Sequence, residues 1–320
     1  MRVVIVGAGL AGLTAANALV ADHEVVLLDK GRSPGGRLAT RRIGSAVFDH
    51  GAQFFTVRSD EFGRHVDRWR RDDVVDEWCR GFGDSDKADG FPRYLVRGGM
   101  NALAKHLARD LDVRCQSLVF AIRPSAPSGW SVGLDDGTTI VADALIVTCP
   151  LPQAYSLLVT GEVTLPPPLA AQQYDRTIAL LAVLDGSPAI PKPGGVPLTD
   201  GVFSFVADNR AKGISPVEAV TFHAAPDWSE AHWDDDQETT RDLLQRAAET
   251  WLGGASIIES QLKRWRFATP RHPWPDRCWV ATAADGASAP LVLAGDAFGE
   301  PKIEAAALSG LAAAHAIAAG

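Results

Sequence analysis

Apolar and polar positions in the first 30 residues alternate between strand-like and helix-like spacing. Residues 2–6 form a short, β-branched apolar run that is typical of a buried parallel strand. A glycine-rich stretch follows, and the apolar positions of residues 10–20 then recur at helical spacing. The run 24–28 is again strand-like. The pattern therefore predicts a strand, a glycine-rich turn, a helix and a second strand in succession.

The same periodicities predict further elements downstream. The strand-like runs are residues 113–122, 130–134, 139–147 and 290–294. Within the third run, residues 144–148 are expected to return to the first sheet. Helical spacing predicts a polar helix from about residue 234 to 252 and an alanine-rich final helix that begins near residue 303.

Gly7, Gly9 and Gly12 lie in the first turn at the spacing of a Rossmann dinucleotide-binding fingerprint. In that motif the first glycine permits a tight turn, the second lets the backbone approach a pyrophosphate, and the third lets the helix pack closely on the strands. Asp29 follows Gly7 by 22 residues, where a carboxylate can accept hydrogen bonds from ribose hydroxyls. A glycine-rich turn without a ligand is the alternative.

Two further segments favour FAD over NAD as the dinucleotide. Residues 30–37 form a second glycine-rich turn in which Arg37 can neutralise phosphate charge; a solvated basic loop is the alternative. Near the other end, Gly295 and Asp296 follow a strand and precede the final helix, where they can contact a ribityl chain and a flavin ring. A cofactor bound by both ends of the chain favours the longer FAD. Since no cysteine follows Gly295, we expect the FAD to be noncovalent.

Composition and charge restrict the class of protein. The chain has 320 residues, 46% of them hydrophobic, which suffices for one or two globular domains. Its formal net charge of -8 supplies no global field for nucleic acid or an anionic membrane. The four cysteines lack metal-binding or disulfide spacing, so no metal is expected. We expect a soluble, cytoplasmic protein with a small-molecule substrate, and the oligomeric state stays open.

The order of the elements predicts an α/β fold, α+β overall, with two domains. Residues 1–58, 97–154 and 276–320 are expected to form a discontinuous, Rossmann-like FAD-binding domain. Residues 59–96 and 155–275 hold most of the tryptophans and mixed strands, so we expect them to form an inserted, β-rich substrate domain.

Five motifs together resemble the flavin amine-oxidase superfamily. They are GAGLAG at 7–12, GGR at 35–37, FDHGAQFF at 48–55, GGM at 98–100 and Gly295-Asp296. The DHGAQFFT segment in a short chain is similar, more narrowly, to the bacterial renalase-like oxidoreductases. That resemblance implies an FAD domain of p-hydroxybenzoate-hydroxylase type. It also implies an oxidase that takes a hydride from isomeric dihydropyridine forms of NAD(P)H and reduces O2 to hydrogen peroxide.

The resemblance also implies roles for particular residues. Those expected to hold the adenosine and phosphates are Gly7, Gly9, Leu10, Ala11, Gly12, Asp29, Lys30, Gly36 and Arg37. Val119 is expected to meet adenine through its backbone. The residues expected near the ribityl chain and the ring are Gly295, Asp296, Glu304, Ala305 and Ala306.

Hydride transfer to a flavin needs aromatic walls and a few polar donors rather than a nucleophile or general base. The candidate substrate-site residues are Gln53, Phe54, Thr177, His223 and Trp265. A structural role remains open for each of them: Thr177 begins an apolar strand, and His223 also fits a structural histidine.

Residues 177–184 contain no lysine, so the lysine that many amine oxidases place beside the flavin is not evident there. That observation favours the renalase-type reading. An amine oxidase or desaturase of the same superfamily is the alternative, and a redox-neutral flavoprotein is a third class.

Overall fold

The structure is a computed structural model that describes residues 1–82 and 89–319. Residues 83–88, inside the predicted segment 59–96, and residue 320, at the end of the predicted segment 276–320, lie outside the described residues. The chain divides into two compact units. Unit 1 comprises residues 1–36, 104–173 and 270–320, and unit 2 comprises residues 37–103 and 174–269.

The elements are numbered in chain order. The strands are β1 (Arg2–Val6), β2 (Glu24–Leu28), β3 (Thr40–Ile43), β4 (Ala46–Asp49), β5 (Val75–Cys79), β6 (Arg93–Val96), β7 (Asp112–Arg114), β8 (Val119–Pro124), β9 (Trp130–Leu134), β10 (Thr139–Ala142), β11 (Ala144–Val147), β12 (Tyr174–Leu184), β13 (Gly195–Pro197), β14 (Phe203–Asp208), β15 (Ala219–Ala224), β16 (Ile257–Pro270), β17 (Trp279–Val280) and β18 (Leu291–Leu293). The helices are α1 (Leu10–Leu19), α2 (Asp60–Arg71), α3 (Asn101–Leu107), α4 (Leu151–Val159), α5 (Pro167–Ala170), α6 (Pro226–Ala231), α7 (Gln237–Ala248) and α8 (Ile303–Ala319). Over the described residues, no helix combines the length and the apolar character that crossing a membrane requires.

Unit 1 is built on a six-stranded sheet in the order β17-β18-β11-β1-β2-β7. All its strand pairs are parallel except β17–β18. The predicted succession of strand, glycine-rich turn, helix and strand is present as β1, α1 and β2. The predicted return to this sheet is also present, because β11 pairs with β1. Buried β-branched and leucine side chains in β1, β2 and β11 form the core.

One predicted strand is wrong. The apolar run 113–122 is not continuous: β7 joins the six-stranded sheet, whereas β8 begins a separate antiparallel sheet with β9 and β10. The chain turns between them at Gln116, whose φ is +55°. Two backbone bonds hold the turn, from Gln116 N to Gly31 O (2.8 Å) and from Ser117 N to Asp29 O (2.9 Å). A pattern of apolar residues does not report such a change of direction.

Unit 2 is built on a five-stranded sheet in the order β13-β14-β15-β12-β16. One face packs on α7 through alternate strand residues such as Leu180 and Phe222. The other face packs on the β3–β4 hairpin, where Phe48 lies against Leu181 and Ala219. This hairpin leads directly into the DHGAQFFT segment and positions it on the sheet.

The unit boundaries differ from the predicted domain boundaries. Residues 37–58 and 97–103, predicted in the FAD-binding domain, belong to unit 2 because the β3–β4 hairpin packs on the five-stranded sheet. Residues 155–173 and 270–275, predicted in the substrate domain, belong to unit 1. Thr160, just after α4, exchanges hydrogen bonds with both backbone groups of Ile122 on β8 (2.9 and 3.1 Å).

Candidate functional site

The carboxyl ends of four parallel strands in unit 1 meet at one edge of the six-stranded sheet. Gly7 follows β1, Asp29 follows β2, Thr148 follows β11 and Gly295 follows β18 shortly after. Thr148 links the two ends of the chain. Its hydroxyl donates to Gly7 O (3.0 Å), and its carbonyl oxygen would lie 3.3 Å from a Cβ added at Gly295. The two segments proposed from sequence to bind one cofactor are therefore adjacent.

The three fingerprint glycines have different surroundings. Gly7 has a φ of +109°, a conformation that favours glycine. A Cβ on Gly12 would lie 2.0 Å from Gly7 O, so α1 can approach the turn only without a side chain there. A Cβ on Gly9, by contrast, would meet no described atom within 4 Å. The space beside Gly9 is thus open to a ligand that approaches the backbone.

Helix α1 begins at Leu10 directly beside this space. Gly9 is its N-cap, and no side chain among the described residues caps it. The first N–H groups of a helix have no intrahelical partner, so this end presents donors and a positive partial charge. Such an end binds the phosphates of dinucleotides. Leu10, Ala11 and Gly12 supply these N–H groups.

Asp29 holds the two glycine-rich turns together. Its Oδ2 accepts from Ala8 N and its Oδ1 accepts from Gly31 N, both at 2.7 Å. A carboxylate offers about four acceptor positions, so two remain for ribose hydroxyls. The second turn lies over the first, because Gly35 N donates to Ala8 O (2.8 Å). Gly36 follows, and a Cβ there would lie 3.6 Å from Gly9 Cα.

Lys30 and Arg37, two basic residues of the second turn, belong to different units. Lys30 is exposed in unit 1. Arg37 begins unit 2, where its guanidinium donates to the carbonyl oxygens of Phe267 (3.2 Å) and Ala268 (3.1 Å) on β16. These bonds anchor Arg37 to backbone oxygens of the five-stranded sheet, a role that its sequence context did not suggest.

The remaining residues predicted near the cofactor also lie in unit 1. Val119 is buried at the start of β8, two residues after Ser117, which bonds to Asp29 O. Gly295 N donates to Ser309 Oγ on α8 (2.8 Å). Glu304, in the first turn of α8, is 8% exposed, and Asp296, Ala305 and Ala306 are part-buried.

Helices α1 and α8 pack against each other at very short range. A Cβ on Gly310 would lie 2.1 Å from Ala11 O, and Thr14 Oγ1 donates to Ala307 O (3.1 Å). This packing fixes the start of α1 relative to α8.

A buried polar network in unit 2 is centred on Asp49. Its Oδ2 lies 2.7 Å from Lys212 Nζ, and both side chains are fully buried. Its Oδ1 accepts from Thr40 Oγ1 and Met100 N, each at 2.7 Å. Its carbonyl oxygen accepts from Thr221 Oγ1 (2.9 Å) on β15. The DHGAQFFT segment is therefore tied to the sheet at its first residue.

Three predicted substrate-site residues converge on this segment. Gln53 Nε2 donates to Asp49 O (2.6 Å). His223 and Trp265 both donate to His50 O, at 3.2 Å from Nε2 and 2.6 Å from Nε1. The His50 and Trp265 rings also stack, with centroids 5.3 Å apart and planes at 19°.

Both histidines are neutral at physiological pH. Burial is the main cause that lowers the pKa of His223 to about 4; the charge of Lys212 acts in the same direction, and the hydrogen bond to His50 opposes it. Burial also lowers the pKa of His50 to about 4, and Lys263 makes the next largest contribution. Because a carbonyl oxygen only accepts, the proton of neutral His223 is on Nε2.

The other two predicted residues lie on the same face of the sheet but in different surroundings. Phe54 packs in a cluster with Trp78, Phe82 and Phe205, with ring centroids 5.0–6.2 Å apart. Thr177 is part-buried on β12, and strand alternation places it on the face that carries Leu181.

Sequence reasoning missed Lys212, Asn209 and Thr148. The search for a lysine covered only residues 177–184, whereas Lys212 lies in the turn after β14. A polar Asp-Asn pair at the end of an apolar strand was the available signal, since Asn209 Nδ2 bonds to Thr221 Oγ1 (3.0 Å) in the same network. Thr148 directly follows the returning strand β11, and this position at the carboxyl end of a parallel strand was the available signal.

Comparisons with known proteins agree with this architecture. Residues 5–71 match the NAD(P)-binding Rossmann-like domain, and residues 61–318 match the flavin containing amine oxidoreductase family. A protein from Exiguobacterium sp. 255-15, provisionally assigned as a protoporphyrinogen oxidase, has a similar crystal structure, with a TM-score of 0.76 at 14% identity and coverage of 99% of this chain and 98% of that one. Putrescine oxidase bound to putrescine is similar over 100% of both chains, with a TM-score of 0.69 at 16% identity. At these identities the likeness concerns the fold.

One curated relative matches a short segment. Hydroxyneurosporene desaturase from Rubrivivax gelatinosus is 47% identical over 58 residues, which are 18% of this chain. The match covers only 11% of the length of that protein.

The geometry of unit 1 fits the cofactor of this family. The open space at Gly9, the uncapped start of α1 and the spare acceptor positions of Asp29 suit a dinucleotide pyrophosphate and ribose. The fold is mixed α/β, with a Rossmann-like domain and the flavin amine oxidase architecture. The cofactor is noncovalent FAD, and no cysteine follows Gly295. With the family matched over residues 61–318, the chain belongs to the flavin-containing amine oxidoreductases and is an FAD-dependent oxidoreductase.

Proposed function

We propose that the protein is an oxidase of renalase type, which oxidises isomeric dihydropyridine forms of NAD(P)H. The substrate loses a hydride and becomes aromatic NAD(P)+, and one O2 takes up the two electrons with one proton from solvent and the hydride-derived hydrogen to form H2O2. FAD, when bound, supplies the two-electron acceptor that connects these half-reactions.

The electrostatic surroundings of the His50–Trp265 stack carry this proposal. Both rings are neutral, because the pKa of His50 is lowered to about 4 by burial and by cations that include Lys263 and Arg41. Lys263 and Arg41 would repel an ammonium substrate that approached the His50–Trp265 stack. A dinucleotide brings an anionic pyrophosphate and a flat, uncharged dihydropyridine, and both suit these surroundings.

Asp49, the only carboxylate of the described buried network, does not offset the repulsion of an ammonium substrate. Asp49 is paired at 2.7 Å with Lys212 and accepts two further hydrogen bonds. Its charge is therefore compensated within the protein and does not attract an ammonium group.

In this proposal the residues that hold FAD belong to unit 1, apart from Arg37, and the candidate substrate-contacting residues belong to unit 2. The residues that would hold the adenosine and phosphates are Gly7, Gly9, Leu10, Ala11, Gly12, Asp29, Lys30, Gly36, Arg37 and Val119. Those near the ribityl chain and ring would be Gly295, Asp296, Glu304, Ala305 and Ala306. In unit 2, His50 and Trp265 present flat ring surfaces. His223 holds the backbone in place by donating a hydrogen bond to the carbonyl oxygen of His50. None of these side chains has to move a proton.

An amine oxidase or desaturase is the second candidate, and a different observation favours it. The rings of Phe54, Trp78, Phe82 and Phe205 form an aromatic cluster of the kind that receives cations. One similar protein, putrescine oxidase, is named for a diamine, which is cationic when protonated, and one curated relative is named as a desaturase. In this chain, however, the rings pack edge to face on one another, and Lys212 Nζ already lies 5.3 Å from the Trp78 ring centroid.

Anaerobic single-turnover reduction of the bound flavin tests the proposal. The panel contains dihydropyridine isomers of NADH and NADPH, putrescine and benzylamine, and loss of the flavin absorbance is followed by stopped flow. We expect at least one dihydropyridine isomer to bleach the flavin faster than every amine. If putrescine or benzylamine is fastest, the amine-oxidase candidate replaces the proposal.

A second measurement separates an oxidase from a redox-neutral flavoprotein. Catalytic oxygen consumption with the best reductant in excess of enzyme, with matching H2O2 release, is expected. Reduction without turnover in air would contradict the oxidase assignment.

A further inference from the structure

Hydrogen bonding fixes the orientation of the Gln53 side-chain amide. Its nitrogen donates to Asp49 O (2.6 Å) and lies 3.4 Å from Gly51 O. If the amide were turned over, its oxygen would face these two carbonyl oxygens without a hydrogen between them. The network therefore places the NH2 group on the backbone side and Oε1 on the opposite side.

This leaves Oε1 as a buried acceptor. Gln53 is 7% exposed, and Oε1 has no hydrogen-bond partner among the described residues. An unsatisfied buried polar atom is costly and rare in native proteins. A donor from outside the chain is the simplest way to satisfy it.

The acceptor is held by a rigid frame. Asp49, whose carbonyl oxygen anchors the Gln53 amide, is itself held by Thr221 and by the buried ion pair with Lys212. The backbone next to Gly51 is held as well, because Ala52 N donates to Arg37 O (3.0 Å). A preorganised acceptor discriminates between ligands better than a mobile one.

The charges around this segment restrict the donor to a neutral group. His50, three residues before Gln53, is neutral and has Lys263 and Arg41 nearby. A neutral amide N–H meets no such repulsion. Within the substrate class proposed above, the carboxamide of the nicotinamide ring carries such donors.

We propose that Gln53 Oε1 accepts a hydrogen bond from the substrate carboxamide and so determines specificity for carboxamide-bearing dihydropyridines. The inference rests on the proposed function, and it names a contact that discriminates among ligands of similar shape.

The test is a chemical double-mutant cycle. One arm compares the carboxamide dihydropyridine dinucleotide with its 3-acetyl analogue, which has a similar size and a carbonyl group but no N–H. The other arm compares the wild type with Gln53→Met, and Gln237→Met is the matched control at an exposed position on α7. Anaerobic flavin reduction gives the dissociation constant of each substrate. Perturbation of the flavin spectrum gives the same constant for each oxidised product.

We expect wild-type protein to bind the carboxamide roughly three- to tenfold more tightly than the acetyl analogue, the range of one neutral hydrogen bond. In Gln53→Met this preference should fall to within twofold, and in Gln237→Met it should persist. The wild-type comparison stands alone if Gln53→Met does not fold, since equal affinity of wild-type protein for both compounds overturns the proposal.

Two further outcomes also overturn it. If folded Gln53→Met still prefers the carboxamide to the acetyl analogue, a group other than Gln53 recognises the carboxamide. An equal loss for both compounds, together with weaker FAD binding or a shifted flavin potential, assigns Oε1 to the cofactor. Failure of the proposed function has a different signature, because then no dihydropyridine isomer bleaches the wild-type flavin.

Discussion

Lys212 and Asp49 form an ion pair of 2.7 Å across 163 residues of chain, and neither side chain reaches solvent. Burial lowers the pKa of Lys212, and the charge of Asp49 opposes that shift. The carboxylate also receives two hydrogen bonds from Thr40 and Met100. The pair thus joins the β3–β4 hairpin, the turn after β14 and the start of α3 into one polar cluster.

Removing one partner of this pair should be more harmful than removing both charges. We expect Lys212→Met to lower the free energy of unfolding by about 3–5 kcal/mol, because it leaves a buried, uncompensated carboxylate. The double variant Asp49→Asn/Lys212→Met should lose less than the sum of the two single variants. Urea unfolding, followed by tryptophan fluorescence, gives the free energy of unfolding of the wild type, the single variants Asp49→Asn and Lys212→Met, and the double variant. Strictly additive losses would show that the two charges do not stabilise each other.

Gly9 and Gly12 form a matched pair for testing the cofactor site. Gly9→Ala should raise the FAD dissociation constant about tenfold or more while leaving the Tm of the apoprotein unchanged, because its Cβ enters open space where the pyrophosphate is expected. Gly12→Ala should lower the apoprotein Tm, because its Cβ would lie 2.0 Å from Gly7 O. FAD titration by fluorescence and thermal unfolding distinguish the two effects. A Gly9→Ala protein with wild-type FAD affinity would argue against phosphate binding at this turn.

Asp29→Ala should weaken FAD retention with little effect on turnover of the loaded enzyme. Loss of charge-assisted hydrogen bonds to ribose, each contributing about 1.5–3 kcal/mol, should raise the dissociation constant about tenfold or more. The same change removes the acceptor for Ala8 N and Gly31 N, so part of the loss will come from loosening of the two turns. Asp22→Ala, an exposed acidic residue of unit 1, is the charge-matched control. Unchanged FAD affinity in Asp29→Ala would contradict the assignment.

Acid should destabilise unit 2 through its two part-buried histidines, His50 and His223. Their folded pKa of about 4 lies below the unfolded value of 6.5, so the unfolded state takes up protons first as the pH falls. Stability should therefore decline between pH 6.5 and 4, by up to about 3 kcal/mol for one group. His223→Gln should flatten this decline, whereas His315→Gln, at an exposed position on α8, should not. Urea midpoints at a series of pH values provide the measurement, and equal slopes for both variants would contradict this prediction.

The sequence indicates the candidate cofactor site more fully than the candidate substrate site, for a physical reason. The turn at Gly7 and the carboxylate at Asp29 belong to one local unit of strand, turn and helix, so periodicity and spacing reveal them. The Lys212–Asp49 pair and the orphaned Gln53 oxygen depend on contacts between segments far apart in the chain. No local pattern reports such contacts.

The compact units differ from the predicted domain boundaries for a related reason. The β3–β4 hairpin follows the nucleotide-binding unit in the chain, but Phe48 packs on Leu181 of the five-stranded sheet. Which core a short hairpin joins is decided by packing rather than by its own residues. The turn at Gln116 likewise depends on backbone partners at Asp29 and Gly31.

The strand order of unit 1 also bears on how the protein is synthesised. β1 and β2 emerge from the ribosome early, but β18, which borders β11 in the same sheet, is complete only at residue 293. At about 5–20 residues per second, roughly 15 to 50 s separate β2 from β18. All of unit 2 is translated within that interval. The six-stranded sheet that positions Gly7 and Gly295 is therefore completed only after unit 2 has been translated, and until then β11 lacks its neighbour β18.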